Sequence, residues 1–167
     1  MGTPHRTLAR LTITPLSGEE EARACARLMS ASEPWITLGR SFETSLAIVR
    51  DPTREVYVAR SEDSVAGFLI LCLTGAFVGY IQTICVDPGY RGQGLGSKLV
   101  EFAEERILRV SPNVFMCVSS FNDGARRLYQ RLGYSVVGEL TNYMVQGYSE
   151  ILLRKTVGSL ADFSDTR

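Results

Sequence analysis

The segment DPGYRGQGLG, residues 87–96, places four glycines between an apolar run and an amphipathic run. The apolar run YIQTICV before it predicts a strand, and Leu95, Leu99 and Ile107 after it have helical spacing. The first N–H groups of a helix lack intrahelical acceptors and, together with the helix dipole, attract anions. Glycine allows a ligand to approach this backbone because it has no Cβ. The turn therefore predicts a phosphate site or, as the structural alternative, a tight connection.

Two familiar phosphate loops do not fit this turn. A Walker loop needs lysine after its last glycine, but Leu95 follows Gly94, and a dinucleotide fingerprint needs a third glycine where Ser97 stands. The pattern R-x-x-G-x-G does fit, at Arg91, Gly94 and Gly96. Preceded by ICVDPGY, this pattern closely resembles the acetyl-CoA loop of the GNAT N-acetyltransferase superfamily.

A second motif, SSFNDGARRLYQRLGY at residues 119–134, resembles the asparagine, helix and LY-x-x-x-GF segment of the same superfamily. With both motifs in this order, followed by two closing strands, the chain is identified as similar to the family over about residues 11–156. The resemblance implies acetyl-CoA as cosubstrate, no metal, and a primary-amine acceptor on a small molecule, peptide or protein.

The resemblance also implies roles for individual residues. Tyr129 matches the tyrosine near the CoA sulfur and would be the catalytic general acid, and Asn122 would reach the pantetheine or the pyrophosphate. From the residues alone, helical spacing favours a core aromatic for Tyr129, and an N-cap is as plausible for Asn122. The other residues implied in CoA binding are Ile84, Cys85 and Val86 on the strand and Arg91, Gly92, Gln93, Gly94, Leu95, Gly96 and Ser97 in the turn.

Acetyl transfer needs an oxyanion stabiliser and a proton for the leaving thiolate. Backbone N–H groups can supply the first, and a phenol with a pKa of about 10 can supply the second. The only histidine is His5, in the polar leader. The sequence therefore disfavours histidine triads and histidine-rich zinc sites.

The general base is the weakest part of this pattern. Some family members carry a glutamate on the strand before the loop, where this chain has Tyr80 and Gln82, neither of which is a base at neutral pH. The segment SEPWITLGRSFE, residues 32–43, borders the acceptor site in family members. The acceptor-site candidates are Glu33, Trp35, Glu43 and Gln82. Solvated surface carboxylates and a core tryptophan are the structural alternatives.

Two functions follow from the motifs. The leading interpretation is an acetyl-CoA-dependent N-acetyltransferase that works by direct attack of the amine. The alternative is a non-catalytic acyl-CoA-binding or regulatory GNAT-like domain, which would keep the turn and lack acceptor chemistry. The sequence leaves open the acceptor and the use of a larger acyl group.

The predicted elements run β-α-α-β-β-β-α-β-α-β-β. This order predicts an α/β (α+β) fold with a mixed, mostly antiparallel sheet of about seven strands flanked by about four helices. A capping box of Ser17 and Glu20 is expected to open the first helix. The expected organisation is a flexible leader over residues 1–10, one domain over 11–156, and a frayed polar tail over 157–167.

Composition limits the classes of partner and the cellular location expected for the chain. The 18 basic and 18 acidic residues balance, so no global field favours nucleic acid or an anionic membrane. No apolar run approaches the roughly 20 residues of a membrane span. Scattered cysteines without a C-x-x-C pair favour a reducing, cytoplasmic location, and a homodimer is left open. The four cysteines are Cys25, Cys72, Cys85 and Cys117.

Overall fold

The computed structural model describes residues 10–62 and 64–164. Its strands are β1 (Leu11–Pro15), β2 (Glu55–Ser61), β3 (Ser64–Cys72), β4 (Tyr80–Val86), β5 (Asn113–Ser119), β6 (Ser135–Thr141) and β7 (Ser149–Thr156). Its α-helices are α1 (Gly18–Ser30), α2 (Phe42–Val49), α3 (Leu95–Ile107), α4 (Asp123–Arg131) and α5 (Leu160–Ser164). The strands form one sheet in the order β1-β2-β3-β4-β5-β7-β6. The predicted class and sheet are confirmed.

The tail after Thr156 differs from the expectation of a frayed segment. Helix α5 forms there, with the Ser159 Oγ accepting a hydrogen bond from the Asp162 N–H at 3.1 Å. A serine followed by an acidic residue in the first turn is a typical helix start, which explains the additional element. Residues 1–9, including His5, and residues 165–167 lie outside the described part of the chain.

The described residues fall into two compact units. The first comprises residues 10–71 and 83–101, and the second comprises residues 72–82 and 102–164. Each unit has its own buried apolar residues. The single domain over residues 11–156 stays a prediction.

In the first unit, β1, β2 and β3 form an antiparallel ladder on which α1 and α2 pack. Val58 of β2 is paired with Phe68 of β3, and both are fully buried. Helix α1 contributes Cys25 and Met29 to the same core cluster because its apolar residues recur at helical spacing. This packing fixes the strands that lead to the glycine-rich turn.

The predicted capping box at the start of α1 is wrong. The Ser17 side chain makes no capping bond, and the Ser17 backbone N–H donates to the Oε2 of Glu21, at 2.7 Å, rather than to Glu20. Gly18 has a φ of +75°, which departs from the helical backbone that the box requires. The same Glu21 carboxylate accepts from the Nε of Arg60 at 2.6 Å and so ties α1 to β2.

Gly67 of β3 allows a close approach that the sequence analysis did not anticipate. A Cβ at this position would lie 2.6 Å from the carbonyl oxygen of Cys85 and 3.4 Å from the Cδ1 of Leu99. Glycine is therefore needed where β3 contacts the end of β4 and the first turns of α3. The close contact helps to set the position of the strand that enters the glycine-rich turn.

In the second unit, the ladder has two unlike faces. Side chains on successive strand residues point to opposite faces, so Val114, Met116 and Val118 of β5 share one face and are buried. Phe115, Cys117 and Ser119 share the other face, opposite Arg154, Leu152 and Glu150 of β7. The first face is apolar, whereas the second carries polar side chains and is partly exposed.

Candidate active site

Side-chain hydrogen bonds hold the glycine-rich turn in the first unit. The Asp87 Oδ1 accepts from the Gly89 N–H at 2.8 Å and starts a 3-10 turn over Pro88–Tyr90. The Tyr90 hydroxyl lies 2.8 Å from the Ser64 Oγ, and the Arg91 Nε donates to the Val86 carbonyl at 3.1 Å. The turn is thus fixed to the ends of β3 and β4.

Beyond this anchor, the backbone reaches α3 through two left-handed glycines. Gly92 has a φ of +73° and Gly94 a φ of +81°, and a Cβ at either would meet no atom within 4 Å. The Lys98 N–H donates to the Gly94 carbonyl at 3.1 Å, so the preceding N–H groups lie at the open end of the helix. Those groups belong to Leu95, Gly96 and Ser97. Phosphate binding by this turn stays a prediction.

The last side chains of the strand that enters the turn are buried or half-buried. The backbone of this strand is therefore better placed than its side chains to contact a ligand. Cys85 is 2% exposed and belongs to the core of the first unit. Burial raises the pKa of its thiol to about 12, so the thiol is protonated at neutral pH. Ile84 and Val86 are half-buried. A role for all three residues in holding pantetheine stays a prediction.

The segment expected to border the acceptor site has mainly structural contacts. Trp35 is 8% exposed and lies in the core cluster with Met29 and Leu46, as its structural alternative required. The Glu33 Oε2 accepts from the Thr37 N–H at 3.1 Å, which caps the turn after α1. Glu43 is exposed in the first turn of α2. None of these contacts indicates a base.

In the second unit, Asn122 caps the helix that carries Tyr129. The Asn122 Oδ1 accepts from the Ala125 N–H at 3.3 Å, which is the N-cap role foreseen as an alternative. A capped start fixes the direction of α4 and therefore the position of the tyrosine two turns later. A CoA contact by Asn122 would be additional to this role.

Tyr129 is half-buried and packs edge to face against Tyr134, with ring centroids 6.2 Å apart. Burial raises the pKa of Tyr129 to about 12. Its hydroxyl has no hydrogen-bond partner among the described residues, whereas the Tyr134 hydroxyl donates to Glu104 Oε1 at 2.9 Å. Tyr134 therefore has a structural bond, and the Tyr129 hydroxyl is left protonated and available.

Glu150, on the partly exposed polar face of the second unit, was not among the residues expected from the sequence. Glu150 is 6% exposed, and its Oε1 accepts from the Ser119 Oγ at 2.6 Å. Burial, followed by contacts with Cys117, Tyr143 and Glu150, raises the pKa of Tyr80 above its usual range. Tyr80 is therefore not a base at neutral pH. Glu150 was missed because its burial depends on a register with β5, some thirty residues earlier.

Two further expectations concern Gln82 and metals. The Gln82 Oε1 accepts a weak bond from the Cys72 Sγ at 3.5 Å, and an acceptor contact by Gln82 stays a prediction. Over residues 10–62 and 64–164, no three His, Cys, Asp or Glu side chains are grouped so that they could hold a metal ion. In the same residues, no helix is long and apolar enough to cross a membrane.

Comparison with known proteins identifies the family. A family model described as acetyltransferase (GNAT) family matches residues 21–134, which include the turn and the Tyr129 helix. The chain belongs to the acetyltransferase (GNAT) family. Membership places it among acetyltransferase enzymes and confirms the predicted family.

The relatives differ in length. The N-alpha-acetyltransferase RimI of Mycobacterium tuberculosis is 28% identical over 154 residues, which cover 87% of this chain and 90% of that protein. A Mycobacterium leprae protein named uncharacterized protein ML0378 is 28% identical over 149 residues, or 86% of this chain. The chain spans only 39% of the length of ML0378.

Solved structures share the fold at low identity. An aminoglycoside 6'-N-acetyltransferase complexed with coenzyme A superimposes with a TM-score of 0.72 at 15% identity and covers 89% of this chain and 98% of that one. The ribosomal-protein-S18-alanine N-acetyltransferase of Escherichia coli gives a TM-score of 0.69 at 21% identity, with 90% and 96% covered. At these identities the likeness concerns the fold.

Proposed function

We propose that the chain transfers the acetyl group of acetyl-CoA to a primary amine on a small molecule or a peptide. Family membership supports the acetyl transfer, and the coenzyme A in a structural neighbour supports the cosubstrate. Names of relatives, N-alpha-acetyltransferase and peptidyl-lysine N-acetyltransferase, support a primary-amine acceptor. Four free cysteines support a reducing compartment, the cytoplasm, as the place of this activity.

In the proposed reaction, the glycine-rich turn binds the CoA pyrophosphate through backbone N–H groups. The open space around Gly94 and the exposed start of α3 support this role. A backbone N–H of β4 polarises the thioester carbonyl, as expected for oxyanion stabilisation. The neutral amine attacks this carbonyl directly. A covalent acetyl-cysteine route is disfavoured because burial raises the pKa of the Cys85 and Cys117 thiols.

The observation that carries the proposal is the state of the Tyr129 hydroxyl. It lacks a hydrogen-bond partner among the described residues, and its pKa of about 12 keeps it protonated at pH 7. When the C–S bond breaks, this phenol donates its proton to the CoA thiolate. The phenolate then recovers a proton from the nitrogen of the new amide, so the tyrosine returns to its starting state. No metal or imidazole is required.

The test is a CoA-release assay with kanamycin, a peptide with a free N-terminal alanine, and an N-acetylated peptide that contains lysine. The Tyr129→Phe variant keeps the ring and removes the hydroxyl. We expect kcat to fall by about 10²–10⁴, the usual range for general acid catalysis, with little change in acetyl-CoA affinity. Steady-state kinetics and calorimetry measure the two quantities.

Tyr134→Phe is the matched control because it removes the neighbouring hydroxyl. It should lower stability by about 1.5–3 kcal/mol, through loss of the bond to Glu104, and leave kcat within a few-fold. If both folded variants turn over at the wild-type rate, Tyr129 is a packing residue. If the wild-type protein acetylates none of the three amines, the proposed function is wrong for these acceptor classes.

A further inference from the structure

A buried carboxylate lies on the partly exposed polar face of the second unit. Glu150 is the second residue of β7, is 6% exposed, and is paired with Ser119 of β5 and Leu140 of β6. Ser119 donates its hydroxyl proton to the Oε1 at 2.6 Å. A carboxylate is costly to bury, so a buried one with a fixed hydrogen bond needs an explanation.

Side chains of several strands lie near Glu150. They include Ser119 and Cys117 of β5, Leu140 of β6 and Tyr80 of β4. Burial raises the pKa of the Cys117 thiol, and the charge of Glu150 adds to the increase. Tyr80 interacts electrostatically with both Cys117 and Glu150. Glu150 is thus the acidic group among the side chains named on this face.

Exposed apolar side chains collect where the chain enters β7. Tyr143 is 61% exposed and Met144 43% exposed, both in the segment that leads to Glu150. Tyr148, two residues before Glu150, packs edge to face on Phe121 with ring centroids 5.0 Å apart. Phe121 directly precedes Asn122, the cap of the Tyr129 helix. Exposed apolar groups beside a buried charge suit a ligand that has an apolar body and a cationic end.

The proposed reaction requires a base that β4 does not supply. A lysine-like amine with a pKa of about 10.4 is neutral in only about one molecule in a few thousand at pH 7. An α-amine with a pKa of about 8 is neutral in about one molecule in ten. Only the neutral form can attack the thioester. A carboxylate beside the bound ammonium would generate that form within the site.

We propose that Glu150 is the general base of the acetyl transfer and that the acceptor is a primary ammonium carried by an apolar group. One N–H proton of the ammonium passes to a Glu150 oxygen, directly or through one water. The freed nitrogen pair forms the C–N bond, the C–S bond breaks, and the thiolate takes the proton of Tyr129. The Tyr129 phenolate takes the second N–H proton from the nitrogen of the new amide, and Glu150 releases its proton to water. This inference rests on the proposed function.

Glu150→Gln tests the inference because the amide oxygen can still accept the Ser119 hydrogen bond. The probe is whichever of the three amines the wild-type protein acetylates fastest, and kcat/KM is measured from pH 6 to pH 10. We expect a fall of about 10²–10³ at pH 7 that shrinks as the pH approaches the pKa of the amine. The loss shrinks because solution then supplies the neutral amine. Acetyl-CoA affinity by calorimetry should be unchanged.

Glu139→Gln is the matched control, since Glu139 is exposed on β6 and paired with Ile151 on the other face of the ladder. It should keep the wild-type profile. A loss in Glu150→Gln that is constant with pH, or no loss, overturns the base assignment while leaving the acetyltransferase in place. Should Glu150→Gln fail to melt cooperatively, Glu150→Asp must keep the wild-type pH trend at a lower rate. A wild-type protein without amine acetylation removes this inference together with the proposed function.

Discussion

The two compact units carry different kinds of candidate chemistry. In the first, the candidate ligand contacts are backbone N–H groups, exposed where Gly92 and Gly94 take left-handed conformations before α3. In the second, the candidates are side chains, namely the Tyr129 hydroxyl and the Glu150 carboxylate. Backbone recognition leaves a local signature of glycines, whereas a side-chain group assembled across strands leaves none. This difference explains why the glycine-rich turn could be recognised in the sequence. Of the two side-chain candidates, Tyr129 was recognised and Glu150 was not.

Disrupting the glycine-rich turn of the first unit should have the largest effect on acetyl-CoA binding. Gly94→Val adds a β-branched side chain to the space that we assign to phosphate, at a φ of +81°. We expect acetyl-CoA affinity to fall by about 10²-fold or more, because at least two charged hydrogen bonds are lost. Calorimetry with acetyl-CoA measures the loss directly, without an acceptor.

Gly18→Val is the control for the strain that this change introduces. Gly18 is in the same unit, has a φ of +75°, and also has no atom within 4 Å of the position that a Cβ would take. Both variants should lose about 1–3 kcal/mol of stability, as expected for a side chain in a sparsely populated backbone region. Only Gly94→Val should lose acetyl-CoA. Equal affinities in the two folded variants would make the turn a structural connection.

Sequence patterns were sufficient where each structural feature depends on near neighbours. The strand, turn and helix around Gly94 and the cap by Asn122 follow from local residue types and are present. The capping box failed because one local angle, at Gly18, moved the bond from Glu20 to Glu21. Even a short motif therefore depends on a backbone conformation that composition does not determine.

Features that depend on distant strands were not predictable in the same way. The burial of Glu150 requires the β5–β7 register, and the need for glycine at position 67 requires β4 and α3 to contact β3. Trp35 is a related case: the family resemblance placed it in a segment that borders the acceptor site, and its core alternative could be recognised only from its packing with distant residues. Local polarity and aromaticity do not distinguish a site from a core when the packing partners lie far along the chain.

A smaller effect on acetyl-CoA binding is expected from changing Gly67, whose close contact with Cys85 helps to position β4. Gly67→Ala would place a methyl group 2.6 Å from the Cys85 carbonyl oxygen, so β4 or β3 must shift. We expect stability to fall by about 1–3 kcal/mol, as for other overpacked sites, and the KM for acetyl-CoA to rise by about tenfold through misplacement of β4. Urea unfolding and steady-state kinetics measure these effects.

Gly138→Ala provides the comparison on a strand of the second unit. A Cβ at Gly138 would meet no atom within 4 Å, so the variant should keep its stability and its KM. If Gly67→Ala lowers stability but leaves the KM unchanged, β4 holds its functional position without this close contact. Acetyl-CoA binding at the glycine-rich turn would then depend less on the packing of β3 against β4 than we infer.

The smallest effect is expected from changing Arg91, the charged side chain assigned to the turn. Arg91 is exposed, and its Nε donates to the Val86 carbonyl at 3.1 Å, so its charge lies beside the start of the predicted phosphate site. An exposed cation contributes about 0.2–1 kcal/mol to an ion pair, and Arg91→Ala should therefore raise the KM for acetyl-CoA by about two- to fivefold. The value of kcat should change less, because Arg91 takes no part in proton transfer. Arg131→Ala, at an exposed position in the last turn of α4, is the control for a lost surface charge. If Arg91→Ala lowers kcat more than it raises KM, a side chain of the first unit acts in the chemistry, and the division between backbone binding and side-chain catalysis fails.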